Sequence, residues 1–106
     1  MKEITDSNFT VPTNGVVLID FWAKWCAPCR AIGLILDEIS KEMPDVQFFK
    51  IDVDEQRDLL EKMELNITAL PTTIVYRNGK KHTSMTGLFM KKYIIEVLNK
   101  AAESQS

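Results

Sequence analysis

Seven residues, VVLIDFW at Val16–Trp22, limit the fold more than any other stretch of the chain. An almost unbroken apolar run of this length reads as a strand buried on both faces. Its one charge, Asp20, is the exception. Downstream the pattern changes period. Ile32, Ile35, Leu36, Ile39 and Met43 recur at three- and four-residue intervals, with Asp37, Glu38, Lys41 and Glu42 on the opposite side. A helix is expected from Ala27 to about Met43, stopped by Pro44. A second strand follows at Val46–Val53. Strand, helix and strand in succession require a right-handed parallel crossover. Helices should then cover both faces of the sheet.

The remaining segments extend that sheet. Asp54–Leu65 is expected as a helix, with Asp54 as its cap and Leu59, Leu60 and Met63 on its apolar side. Thr72–Tyr76 is a β-branched run. Asn78-Gly79 is a strong hairpin signal, because both residues tolerate positive φ, so Lys81–Thr86 should return antiparallel. Phe89, Tyr93, Ile94, Val97, Leu98 and Ala101 form the stripe of a final helix, and Glu103–Ser106 is expected to fray. The fold class is therefore α/β, a central mixed sheet of four to five strands between helices. The whole of residues 1–106 makes one domain, since this length holds one core and shows no repeat or linker.

Charge and hydropathy exclude several partners. The net charge is −2 and no lysine or arginine run marks a nucleic-acid patch. No apolar run approaches the roughly 20 residues of a membrane span. The opening MKEITDSNFT lacks the apolar core of a secretory signal. A cytoplasmic monomer is expected.

Both cysteines lie in WCAPCR, Trp25–Arg30. They could form a structural staple, half of a metal site, or a redox couple. A loop this short gains little chain entropy from closure, and structural crosslinks are rare in a reducing compartment. Zinc takes about four ligands, whereas the chain adds only one histidine, His82, far along the sequence and expected to face solvent. No metal site is expected. Redox chemistry fits the position better. Cys26 falls at the junction of strand and helix, Pro28 suits the first helical turn, and Cys29 comes one turn later on the same side. A helix N-terminus offers unpaired N–H groups and the positive end of the dipole, and both favour a thiolate at Cys26. Cys26 would attack a target disulfide, and Cys29, less exposed, would resolve the mixed disulfide.

With these residues in view the chain closely resembles the thioredoxin family. The resemblance rests on IDFWAKWCAPCR (Ile19–Arg30), DEIS (Asp37–Ser40), KIDVDE (Lys50–Glu55), LPTTIVYRNGK (Leu70–Lys80) and Gly87, and spans about Ile4 to Ala101. It implies that Cys26 attacks and Cys29 resolves. It implies that Asp20 is the buried aspartate that handles the proton of Cys29, usually through water, with Lys50 as its neighbour. Burial of a carboxylate in an apolar strand would itself raise its pKa. Pro71 matches the family's cis-proline facing the cysteines. Leu70 would present its backbone to an extended substrate segment, Trp25 would form a lid beside Cys26, and Trp22 would serve packing. Ala27, Pro28, Leu70, Pro71, Thr86 and Gly87 would make a small apolar docking patch.

The implied function is a protein-disulfide reductase that acts on disulfide-containing clients and is re-reduced by a thioredoxin reductase. No cofactor is expected beyond the redox-active disulfide, and NADPH enters only through the reductase. An isomerase or oxidant, and a non-catalytic docking module, are the competing functions. Several positions depart from the family pattern. Ala27 replaces a glycine, and Leu34 replaces the proline that kinks the long helix. Thr86 replaces the docking patch's usual valine. The chain is about three residues shorter between Phe9 and Asp20, where Pro12 and Gly15 should reduce the first helix to a turn. It is about two residues longer between Asp54 and Pro71, which should lengthen the helix there.

Overall fold

The computed structural model describes residues 1–103. Strands β1 (Lys2–Glu3), β2 (Val16–Trp22), β3 (Gln47–Asp52), β4 (Thr72–Arg77) and β5 (Lys80–Thr86) alternate with helices α1 (Ala27–Glu42), α2 (Arg57–Lys62) and α3 (Lys91–Glu103). They form one mixed sheet in the order β1-β3-β2-β4-β5. Both β1 and β2 run parallel to β3, whereas β4 is antiparallel to β2 and to β5. The most apolar strand thus sits at the centre, as its composition requires.

Alternation along β2 divides the core in two. Val16 and Leu18 join Ile32, Leu36 and Ile39 of α1 and Ile94 and Leu98 of α3 on one face. Val17, Ile19 and Phe21 join Ile51, Leu59 and Ile74 on the other. Asp20 shares the parity of Val16 and Leu18, so the strand that buries the core also carries a carboxylate towards the α1 face. The hairpin forms at Asn78 (φ 52) and Gly79 (φ 83), both left-handed as anticipated. The Asn78 side chain accepts from the Gly15 N–H (2.8 Å) and its own N–H donates to the Gly15 carbonyl (2.9 Å), tying the hairpin to the start of β2.

Three expectations need correction. The segment Asp54–Leu65 yields a helix of only six residues, not a lengthened one, and Asp54 does not cap it; Gln56 stands at the N-cap without a side-chain bond. The cause is Asp52, whose Oδ1 accepts the N–H groups of Asp54 (2.9 Å) and Glu55 (3.2 Å) and holds this stretch as a turn. At the far end Glu64 takes φ 58 and ends the helix. The longer segment instead lays Leu65, Ile67 and Leu70 against the core. Second, Phe89 precedes α3 and stacks on Tyr93 (centroids 5.3 Å apart), which is exposed; the buried stripe is Ile94, Val97, Leu98 and Ala101. Third, α3 extends through Glu103, the residue at which the tail was expected to begin, and residues 104–106 lie outside the described ones. β1, two residues long, carries too little pattern to be read from sequence. The stretch before β2 contains a turn closed by Phe9 N–H and the Asp6 carbonyl (3.0 Å) instead of a helix, as Pro12 and Gly15 led us to expect. α1 runs unbroken through Leu34.

Candidate active site

Cys26 stands where β2 hands the chain to α1. It is the N-cap residue, extended at φ −92 and ψ 104, and its Sγ accepts the Cys29 N–H at 3.3 Å. Pro28 lies in the first helical turn, where its missing N–H costs nothing. One turn brings Cys29 back over Cys26, with Cα atoms 5.3 Å apart and the two sulfurs joined as a disulfide. Both cysteines are 4% exposed, so Cys29 is not the less exposed of the pair. They differ in what they face. Cys29, unlike Cys26, lines a cavity of about 510 Å³ together with Asp20, Trp22, Asp37 and Lys50.

Asp20 is 2% exposed, and its Oδ1 has no hydrogen-bond partner among the described residues. Burial is the main cause that pushes its pKa from 3.8 up to about 7; Lys50 pulls it down, and Glu3 and Asp37 push it up. Lys50 lies opposite Asp20 in the β2–β3 register. Its ammonium nevertheless pairs with Glu3 Oε1 at 3.8 Å and sits 5.3 Å from the centre of the Trp22 ring. Trp22 does more than pack, because its indole N–H donates to Glu3 Oε2 at 3.3 Å.

The opposite wall comes from the loop before β4. Leu70 packs against Cys26, Cys29 and Ala23, and the Leu70–Pro71 bond is cis. The Pro71 carbonyl accepts the Gly87 N–H at 2.8 Å, and Thr72 opposes Thr86 across the hairpin. The hairpin therefore delivers Thr86 and Gly87 to the proline. Gly87 has φ +109, a backbone setting that other residues rarely adopt. Ala27, Pro28 and Thr86 are exposed, Leu70 is half-buried and Pro71 buried. Trp25 is 71% exposed, and its indole N–H donates to Asp54 Oδ2 at 2.8 Å. His82 is exposed on β5, and no group of three or more His, Cys, Asp or Glu among the described residues could hold a metal ion.

The thioredoxin family model matches residues 1–100. The chain belongs to the thioredoxin family. It is 39% identical over 98 residues to a Bacillus subtilis thioredoxin, covering 91% of this chain and 92% of the relative. A Chlamydia pneumoniae thioredoxin is 35% identical over 103 residues, covering 96% and 99%. Among solved structures, a Plasmodium falciparum thioredoxin superposes with a TM-score of 0.81 at 34% identity, covering 94% of this chain and 98% of that one. As a family member the chain is a protein-disulfide reductase that works by thiol–disulfide exchange, and its redox group is the Cys26–Cys29 pair. Disulfide-containing substrates and a reductase partner go with the family.

Sequence reasoning missed Glu3, Asp37, Asp52 and Asp54 at this thioredoxin site. Asp37 lines the cavity from α1 and Glu3 pairs with the cavity residue Lys50 from β1, and no local pattern announces either contact. Asp52 and Asp54 lie within the quoted KIDVDE, where a strand end followed by alternating carboxylates is the signature of a side-chain-capped turn.

Proposed function

We propose that this thioredoxin-family chain is a general reductant of protein disulfides in the cytoplasm, active as a monomer. A thioredoxin reductase would return it to the dithiol with electrons from NADPH, and it would need neither nucleic acid nor membrane. One observation carries the site assignment: the Cys26 sulfur accepts a helix N-terminal N–H, while Cys29 faces the cavity that holds Asp20.

In the reduced protein the same N–H and the helix dipole favour thiolate at Cys26. That thiolate attacks one sulfur of a client disulfide. The Cys26–client bond forms, the client S–S bond breaks, and one client thiolate leaves. Asp20, with a pKa near 7, is partly ionised at neutral pH and takes the proton of Cys29 across the cavity. The Cys29 sulfur then attacks Cys26 Sγ, which expels the second client thiolate and restores the Cys26–Cys29 disulfide. Two electrons have passed to the client. Lys50 neighbours Asp20 and moderates its charge. Ala27, Pro28, Leu70, Pro71, Thr86 and Gly87 receive the client segment, with Leu70 offering its backbone and Trp25 shielding Cys26 at the rim.

Cys29→Ser tests these roles. It should accumulate client proteins as stable mixed disulfides on Cys26, resolved by non-reducing gels and mass spectrometry, with turnover lost. Release of clients at the normal rate would reverse the assignment of the two cysteines. The midpoint potential of the pair separates reductant from isomerase. The reference value for thioredoxins is about −270 mV, and that for a disulfide isomerase about −180 mV. A value near the latter would end the reductase reading.

A further inference from the structure

The first strand sends one side chain, Glu3, to two residues that line the active-site cavity, Trp22 and Lys50, and both of its oxygens are engaged. Glu3 Oε2 accepts the Trp22 indole N–H (3.3 Å), and Glu3 Oε1 lies 3.8 Å from the Lys50 ammonium. Backbone pairing sets this arrangement. Glu3 is the register partner of Lys50, and the Ile4 N–H donates to the Lys50 carbonyl at 2.9 Å. On its other side Lys50 is the register partner of Asp20, whose Oδ1 has no partner among the described residues. Lys50 thus stands in register between two carboxylates on neighbouring strands, and its ammonium is paired with the outer one.

We propose that Glu3 is a positioning residue for the redox reaction: it anchors the Lys50 ammonium beside the Trp22 ring and so leaves the buried Asp20 carboxyl without a neutralising partner. The other charged and titratable groups around Asp20 do not take over that task. From α1 come Asp37, which repels a carboxylate, and Cys29, which is tied in the disulfide. Asp37 is itself paired with the Met1 amine at 2.9 Å. Lys24 and Arg30 line the same cavity, but Lys24 pairs with Glu55 (2.6 Å) and Arg30 donates to the Lys24 carbonyl (3.2 Å). From β4 comes the neutral hydroxyl of Thr73, opposite Asp20 in register and also without a partner among the described residues. Lys50 is therefore the cation that can move to Asp20, and Glu3 is what it would leave.

The consequence for catalysis rests on the reading that Asp20 takes the proton of Cys29. A carboxyl paired with Lys50 would ionise earlier and be a weaker base. Held apart from Lys50, it stays poised near neutrality, where a proton acceptor is most effective.

The test follows the Asp20 carboxyl directly by carbon NMR in the oxidised full-length protein, between about pH 5 and 9. Glu3→Gln keeps an oxygen for the Trp22 N–H and removes the charge. It should lower the Asp20 midpoint by about half a pH unit or more. Lys50→Met should raise the midpoint. In the Lys50→Met background, Glu3→Gln should produce less than half of the shift that it produces alone. An unchanged midpoint in Glu3→Gln, or an equal shift in both backgrounds, would overturn the proposal. The pH profile of client reduction, measured on the same variants, separates the two readings. If the Asp20 midpoint moves and the acid limb of the rate does not, Glu3 still positions Lys50, and the proton role of Asp20 is what fails.

Discussion

Asp20 and Asp52 are almost equally buried, at 2% and 3% exposure, on adjacent strands and at positions of the same parity. Their surroundings are opposite. Asp52 ends β3, and the turn that follows offers it two N–H donors, from Asp54 and Glu55. Asp20 sits inside β2, flanked by β3 on one side and β4 on the other. Its neighbouring backbone groups are committed to the two ladders, so none remains for a side chain. Burial alone therefore does not make a carboxyl reactive. A carboxylate at a strand end becomes a brace for the next turn, and the same group in mid-strand keeps its proton affinity unspent.

The largest effect should come from removing the charge of Asp20. Its pKa is raised from 3.8 to about 7 in the folded protein. Between those values the folded state holds a proton that the unfolded state has lost, so stability falls as pH rises through that window. The cost is complete above about pH 7 and amounts to about 4 kcal/mol. Asp20→Asn should thus be more stable than the parent by about 3–4 kcal/mol at about pH 9, and equal to it near pH 4, in urea denaturation. Equal stability of the two at both pH values would remove the contrast between the aspartates. The same variant should reduce clients about tenfold more slowly at neutral pH. The deficit should shrink in base, where Cys29 loses its proton unaided; a pH-independent loss would indicate a packing defect.

Asp52 should behave in the reverse manner. Asp52→Ala leaves two backbone donors without their acceptor and should cost about 2 kcal/mol in urea denaturation. Turnover per folded molecule should be little changed, because Asp52 touches neither sulfur. The smallest effect belongs to Asp52→Asn, which retains one carbonyl acceptor and should cost about 0.5–1 kcal/mol. An Asp52→Asn loss as large as that of Asp52→Ala would show that charge, not the acceptor itself, holds the turn.

Much of the reaction centre is legible in the sequence. The cysteine pair follows from spacing and from the change of period at Ala27. The hairpin follows from Asn78-Gly79, because few residue pairs accept two consecutive positive φ angles. The cis bond at Pro71 and the delivery of Thr86 and Gly87 to it were available only through family resemblance. Helix α2 was misread because Asp54 looks like a cap in isolation. The donors that decide the matter are its own N–H and that of Glu55, and both go to Asp52.

The sequence by itself determined the order of elements from β2 onward, the two-faced core and the place of the cysteine pair at a helix N-terminus. These depend on residues within one or two turns of each other, where periodicity and capping act locally. Tertiary structure decided the fate of the charges. Lys50 is equally near in sequence to Glu55 and to Asp45, yet it pairs with Glu3, which only the β1–β3 register brings within reach. Asp20 is exceptional because strands on both sides have used the hydrogen bonds that would have satisfied it. Electrostatic partners are chosen by distance in space and by what the backbone has left unpaired, and neither is written in the local order of residues.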